Sequence, residues 1–136
     1  MKYNEKKVLL ADDIVTAVFC KLRDKENIGT ITSKRSQLHE IFYEFSLKYP
    51  KIFGDLKFRN KDGFMESASL DQALKNLEDS NLIRKYNNGK KFYYTITPTI
   101  KTVYLTYISH TFKDLSIPEQ SIDDIVKKNA DLFKIE

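Results

Sequence analysis

Residues 69–96 read Ser69-Leu70-Asp71-Gln72-Ala73-Leu74-Lys75-Asn76-Leu77-Glu78-Asp79-Ser80-Asn81-Leu82-Ile83-Arg84-Lys85-Tyr86-Asn87-Asn88-Gly89-Lys90-Lys91-Phe92-Tyr93-Tyr94-Thr95-Ile96, and two periodicities meet inside them. In the first half, Leu70, Ala73, Leu74 and Leu77 recur at steps of three and four, the buried stripe of a helix. Ser69 and Gln72 fit a capping box at its start, the serine accepting from the Gln72 backbone N–H while the Gln72 side chain reaches back. Asn81 tolerates the left-handed conformation that closes such a helix. In the second half, two β-rich runs, Leu82 to Tyr86 and Lys91 to Thr97, flank Asn87-Asn88-Gly89-Lys90, whose Asn and Gly residues accept the positive φ of a tight hairpin turn. The stretch predicts a capped helix feeding directly into a two-stranded hairpin.

Working outward, residues 7–25 place Val8, Ala11, Val15, Val18 and Leu22 at helical spacing, with Ile14 and Phe19 widening the stripe. Residues 27–32 read as a lone strand or an extended connector. Ser33 is placed to cap a second helix whose apolar face is Leu38, Ile41, Phe42 and Phe45, and Pro50 stops it. Residues 50–65 mix basic and aromatic residues without a clear period and read as a loop with packed aromatics. Beyond the hairpin, Pro98 ends strand pairing and Thr99 is placed to cap a helix with Ile100, Val103, Tyr104, Tyr107 and Ile108 on one side. A last helix begins around Ser116-Ile117-Pro118-Glu119 and carries Ile122, Ile125, Val126, Ala130 and Phe133.

The order helix, short strand, helix, helix, hairpin, helix resembles a winged helix-turn-helix domain. At Ser69 to Ile96 the chain is similar to bacterial and archaeal winged-helix regulators such as the MarR, PadR and ArsR groups, whose "Gly-Leu-Ile" step into the wing reads Asn81-Leu82-Ile83 here. The resemblance implies an α+β, mainly helical fold: a winged helix-turn-helix with a two-stranded wing and additional C-terminal helices. Residues 1–97 would form the winged domain and 98–136 a helical extension. One departure is the connection before the third helix. That family uses a turn of a few residues, so residues 50–65 are an insertion or hold another short element.

Composition sets the function classes. The chain has 136 residues, 41% hydrophobic and 31% charged, with one cysteine, enough for one domain and too few thiols for a disulfide or a paired-cysteine zinc site. No apolar run has the roughly 18 residues a membrane helix needs, and residues 1–10 have no uninterrupted apolar segment, so a cytoplasmic protein without leader or anchor is expected. The net charge of +4 is uneven. Residues 82–97 carry four basic residues and no acidic one, whereas 66–81 carry one lysine against four carboxylates. Local basic excess of this kind points to a polyanion more strongly than the overall value does. Lysine outnumbers arginine 19 to 4, which suggests an AT-rich genome.

The candidate DNA-binding residues follow. Arg84, Lys85, Lys90 and Lys91, with Asn88, bracket the wing turn and would neutralise phosphates, the alternative being solvated charges that blunt an edge strand. Lys34 and Arg35 begin the second helix, where a first turn can meet the backbone. The resemblance implies that the third helix enters the major groove, presenting Ser67, Ser69, Gln72, Lys75 and Asn76; Gln72 and Asn76 would pair with adenine edges, Lys75 with guanine or phosphate. Its excess of carboxylates opposes this unless Glu66, Glu78 and Asp79 point away from phosphates. Tyr86, Phe92, Tyr93 and Tyr94 read as hairpin packing before base stacking. In the resembling families, flanking helices form a two-fold dimer, which would put Tyr104, Tyr107, Ile108, Ile125 and Phe133 at a homodimer contact.

Enzyme chemistry finds no anchor. His39-Glu40 begins a zincin-like string, but position 43 is tyrosine, and His110 has no partner at fixed spacing. Asp12-Asp13 and Asp123-Asp124 diverge by about 100° on a helix. No cofactor or metal motif is present, and Cys20 reads as a small core residue. The expected function is sequence-specific double-stranded DNA binding in transcriptional regulation. The alternatives are a winged-helix module that binds a protein partner and an accessory role in plasmid or phage replication or segregation.

Overall fold

The computed structural model describes residues 9–135. Val8 and the start of the first predicted helix lie outside them. Helix α1 spans Ala11–Lys25, and Ile14, Val15, Val18, Phe19 and Leu22 are fully buried along it. Its first amide is satisfied from elsewhere in the chain: the Ala11 N–H donates to Asp55 Oδ2 at 2.8 Å, supplying an acceptor that Leu10, at the cap position, lacks. Strand β1 is Thr30–Thr32 and helix α2 is Arg35–Lys48. Leu38, Ile41, Phe42 and Phe45 form the buried face of α2 as expected.

The cap of α2 differs from expectation. Lys34 occupies the cap position with no side-chain cap bond, the Lys34 N–H donates to Thr32 Oγ1 at 3.1 Å, and the buried Ser33 Oγ has no partner among the described residues. Pro50 ends α2 and, its fixed φ suiting the first helical position, opens the short helix α3, Pro50–Phe53. A Cβ on Gly54 would sit 2.5 Å from the Pro50 carbonyl oxygen, so only glycine closes α3 in this way.

Residues 59–66 are a hairpin. Strands β2 (Arg59–Lys61) and β3 (Phe64–Glu66) pair antiparallel around Asp62-Gly63, whose φ values of 54° and 91° are those of a tight primed turn. Helix α4 follows at Ala68–Asp79 with Leu70, Ala73, Leu74 and Leu77 buried. Its cap is Ser67, not Ser69: the Leu70 N–H donates to Ser67 Oγ at 3.2 Å. Asn81, at φ 59°, ends α4, with the Leu82 N–H donating to Leu77 O and the Asn81 N–H to Glu78 O, the bonds of a left-handed cap.

Strands β4 (Ile83–Asn87) and β5 (Phe92–Ile96) form the predicted hairpin, and β1 joins β5 to make a three-stranded antiparallel sheet in the order β1-β5-β4. Ile31, Tyr94 and Lys85 are register partners across it. From residue 99 the chain is helical in three consecutive pieces: α5 (Thr99–Val103), a π-helical segment (Tyr104–Ile108) and α6 (Ser109–Asp114). Pro98, not Thr99, occupies the cap position of α5. Ile100, Tyr104, Ile108 and Phe112 are all buried at a constant spacing of four. A regular helix would rotate such a row by 40° per step; the wider π turn reduces that drift and keeps the row on the core. Tyr107 is left outside, 70% exposed.

Helix α7 (Glu119–Asn129) and a 3₁₀ turn (Ala130–Phe133) complete the chain. Phe133 packs edge-on against Phe19 and Phe42 and tilted against Phe45, with ring centroids 6.0–6.3 Å apart. Lys21, almost fully buried in α1, lies over the Tyr104 ring at 4.7 Å and pairs with Asp123 of α7 at 3.2 Å. Residues before and after 97 share one hydrophobic core built around α1. The fold is α+β and mainly helical, with two small antiparallel sheets. No helix among the described residues is long and apolar enough to cross a membrane.

Candidate nucleic-acid interface

Alternation along β4 and β5 divides the hairpin's side chains between two faces. Lys85, Asn87, Phe92 and Tyr94 share one face by register; Arg84, Tyr86, Tyr93 and Thr95 share the other. On the first face, a groove of about 470 Å³ opens between the hairpin and the start of α2, lined by Thr32, Ser33, Lys34, Gln37, Lys85, Lys90, Lys91, Phe92 and Ile135. Four lysines, Lys34 from the start of α2 and three from the β4–β5 hairpin some fifty residues later, therefore border one groove, with no carboxylate among the described residues that line it. Among the described residues none of the four has an ion-pair partner. Lys85 also lies over the Tyr94 ring at 5.8 Å. Burial pushes the Tyr94 hydroxyl up to about 12, so it stays neutral beside the cations.

The turn is held by its own side chains. The Gly89 N–H donates to Asn87 Oδ1 at 2.7 Å, and the Lys90 and Lys91 N–H groups donate to Asn88 Oδ1 at 3.3 and 2.8 Å. Asn88 Oδ1 is thereby spent on positioning the tip. Arg84 does not join the groove. It borders a second cavity, of about 510 Å³, on the opposite face with Arg23, Tyr86 and Thr95, beside the stacked rings of Tyr86 and Tyr93.

Several residues expected to meet DNA are committed elsewhere. Arg35 donates from Nη2 to Asp71 Oδ2 (2.6 Å) and Glu66 Oε1 (2.7 Å), and from Nε to Asp71 Oδ1 (3.0 Å). Ser67 is fully buried, and its Oγ caps α4 while meeting Ser69 Oγ at 2.9 Å. Asn76 accepts from Gln72 Nε2 and donates to Asp12 Oδ2, both at 2.9 Å, so its amide ties α4 to α1 instead of facing outward. On α4, Gln72 and Lys75 stay exposed. Lys75 meets Asp79 at 3.1 Å, a pair between two largely exposed side chains.

The Arg35 contacts belong to a network that sequence reasoning missed. His39, with no solvent exposure, accepts the Ser67 N–H at Nδ1 (3.0 Å) and contacts Asp71 Oδ1 from Nε2 at 2.8 Å. With Nδ1 accepting, the proton of the neutral ring sits on Nε2 and is donated to Asp71. Burial lowers the His39 pKa and outweighs the pull of Asp71. Burial alone would raise Asp71, but hydrogen bonds from Arg35 and His39 hold it below the usual carboxylate range. Hydrogen bonds from Arg35 and then Arg59 hold Glu66 low as well, and Lys61 approaches it at 4.0 Å. Two of the four carboxylates in residues 66–81 are thus balanced by Arg35, Arg59 and Lys61. The DG turn at 62–63 was the available signal for this hairpin, and no local pattern pairs Arg35 with residues 66 and 71.

Of the five residues expected at a dimer contact, Tyr104, Ile108, Ile125 and Phe133 lie in the core of the single chain, and only Tyr107 is at the surface. Cys20 is buried, its thiol pushed up to about 12 by burial and by Asp24. Among the described residues no group of three or more His, Cys, Asp or Glu side chains converges on a possible metal position. Neither a scan of protein-family models nor searches of curated proteins and of solved structures return a match to this chain.

Proposed function

We propose that this chain is a winged helix-turn-helix protein that binds double-stranded DNA, with the β4–β5 hairpin as wing and α4 as recognition helix, and that it serves in transcriptional regulation. The order α1-β1-α2-α4-β4-β5 and the β1-β5-β4 sheet fit that architecture, with α3 and the β2–β3 hairpin as an insertion between α2 and α4. The observation that carries the proposal is the groove bordered by Lys34, Lys85, Lys90 and Lys91, with no carboxylate among the described residues of its lining. Cations gathered in this way repel one another, and a phosphate backbone relieves that repulsion while releasing its own counterions. The Ser33 hydroxyl, without a partner among the described residues, and the first turn of α2, without a side-chain cap, border the same groove and offer donors to an anion.

Base contacts fall to fewer residues than the sequence suggests. Gln72 and Lys75 remain, and the exposed Lys75–Asp79 pair contributes no more than about 0.5 kcal/mol, so Lys75 can exchange Asp79 for a guanine edge or a phosphate. Binding to a basic protein partner draws its support from the acidic character of α4. That support weakens because Glu66 and Asp71 are already compensated by Arg35, Arg59 and Lys61. The test is fluorescence anisotropy of a mixed-sequence duplex titrated across salt. Log affinity should fall linearly with log salt. Absence of binding at low salt would refute duplex recognition and leave the protein partner as the better account.

A further inference from the structure

We infer that Phe92 is an apolar wedge that the wing inserts into the minor groove of an A·T-rich duplex, kinking it at a flexible step. This deepens the DNA-binding proposal and rests on it. Phe92 and Tyr94 share one face of β5, yet Tyr94 is 5% exposed and Phe92 57%. The hairpin does not need Phe92 for its own order. Its tip amides are held by Asn87 and Asn88, its other face by the stacked Tyr86 and Tyr93 rings, centroids 5.7 Å apart. What Phe92 does border is the groove formed with Lys34, Lys85, Lys90 and Lys91.

An exposed ring among cations that hold phosphates is positioned to meet what lies between the phosphate rows. There, a two-stranded ribbon about 5 Å between strand axes meets a minor groove about 6 Å wide. Entry of side chains then requires the groove to widen, which partial unstacking of a base step by an apolar side chain achieves. Pyrimidine–purine steps within A·T-rich sequence deform most easily, so the wedge selects sequence through deformability without a hydrogen bond to a base. The two lysines beside the ring, Lys90 and Lys91, donate their backbone N–H groups to Asn88 Oδ1 at the tip, and their side chains would anchor the flanking phosphates while the ring is inserted.

The test uses the full chain and a duplex of about 20 base pairs, A·T-rich with a central TA step, carrying a fluorophore at each end, so that affinity and end-to-end distance are read together. Wild-type protein should shorten the end-to-end distance. Phe92→Ala should weaken binding about tenfold and abolish the shortening, with an unchanged salt slope because no charge is removed. Phe92→Leu, still apolar, should retain most of both. Circular dichroism of the variants should match wild type, since the ring is exposed. Equal affinity and bending by wild type and Phe92→Ala would overturn the wedge while leaving DNA binding intact. Tighter, Phe92-dependent binding to the single strand than to the duplex would also overturn it, in favour of base stacking. No binding by wild type would remove the DNA-binding proposal and the wedge together.

Discussion

Asp71→Ala is expected to destabilise the fold by about 1–4 kcal/mol, most of it through a residue that is not mutated. His39 has no solvent exposure, and its Nδ1 is committed to the Ser67 N–H, so the ring cannot turn to find another acceptor. Without Asp71 its Nε2–H becomes a buried donor without a partner, a loss of about 1–3 kcal/mol. The Arg35–Asp71 contact adds no more than about 1 kcal/mol, because both side chains are close to half exposed and Arg35 keeps Glu66. Urea unfolding at pH 7 should show a lower midpoint at unchanged slope. Asp71→Asn keeps an acceptor for His39 and should lose about 1 kcal/mol or less. Equal losses in the two variants, or none in either, would refute the assignment of His39 as a neutral Nε2–H donor.

The same site sets a pH dependence. Because burial lowers the His39 pKa from its ordinary 6.5, the unfolded chain takes up a proton that the folded chain refuses. Its contribution is complete above about pH 6.5 and is lost as pH falls from there towards the folded value. Asp71, held below 3.8, acts in the same direction but only as pH falls through its own depressed value. His39→Gln, which keeps one donor and one acceptor, should flatten the fall in stability as pH drops below about 6.5, where this one group contributes a slope of no more than about 1.4 kcal/mol per pH unit.

Three further outcomes follow from burial and pairing. Phe133→Ala should cost about 3–5 kcal/mol in chemical denaturation, since the ring is fully enclosed by Phe19, Phe42 and Phe45. Cys20 should resist thiol labelling at neutral pH in the native protein and react in denaturant, being buried with a thiol pushed up to about 12. Arg35→Ala should lower stability by about 1 kcal/mol yet leave the salt dependence of DNA binding unchanged, because the guanidinium is occupied by Asp71 and Glu66.

Where a signal is local, the sequence carries it. The leucine stripe of α4, the left-handed Asn81 and the β4–β5 turn all sit where periodicity and turn chemistry put them. The cap of α4 moved from Ser69 to Ser67 because tertiary contacts decided between two serines at equal chemical merit: the Ser67 N–H is claimed by His39, which fixes the chain entering the helix. The β2–β3 hairpin is three residues a side, too short for alternation to register, and its order comes from Arg35, Arg59 and Lys61 converging on Glu66. Tyr107 fell on the wrong side because a π turn alters the helical period that the spacing argument assumes. The wing lysines were legible as a basic run; that Lys34 joins Lys85, Lys90 and Lys91 while Arg84 faces away depends on strand register and on how α2 meets the sheet.

The most direct test of the central claim is the salt slope of duplex binding for wild type against a variant with Lys34, Lys85, Lys90 and Lys91 all changed to alanine. If the four lysines each neutralise a phosphate, the log–log slope should shrink in magnitude by roughly 3–4, at about 0.9 per contact, with affinity lost across all sequences and the fold intact by circular dichroism. A variant that binds with the wild-type slope would contradict the assignment of this groove to the phosphate backbone.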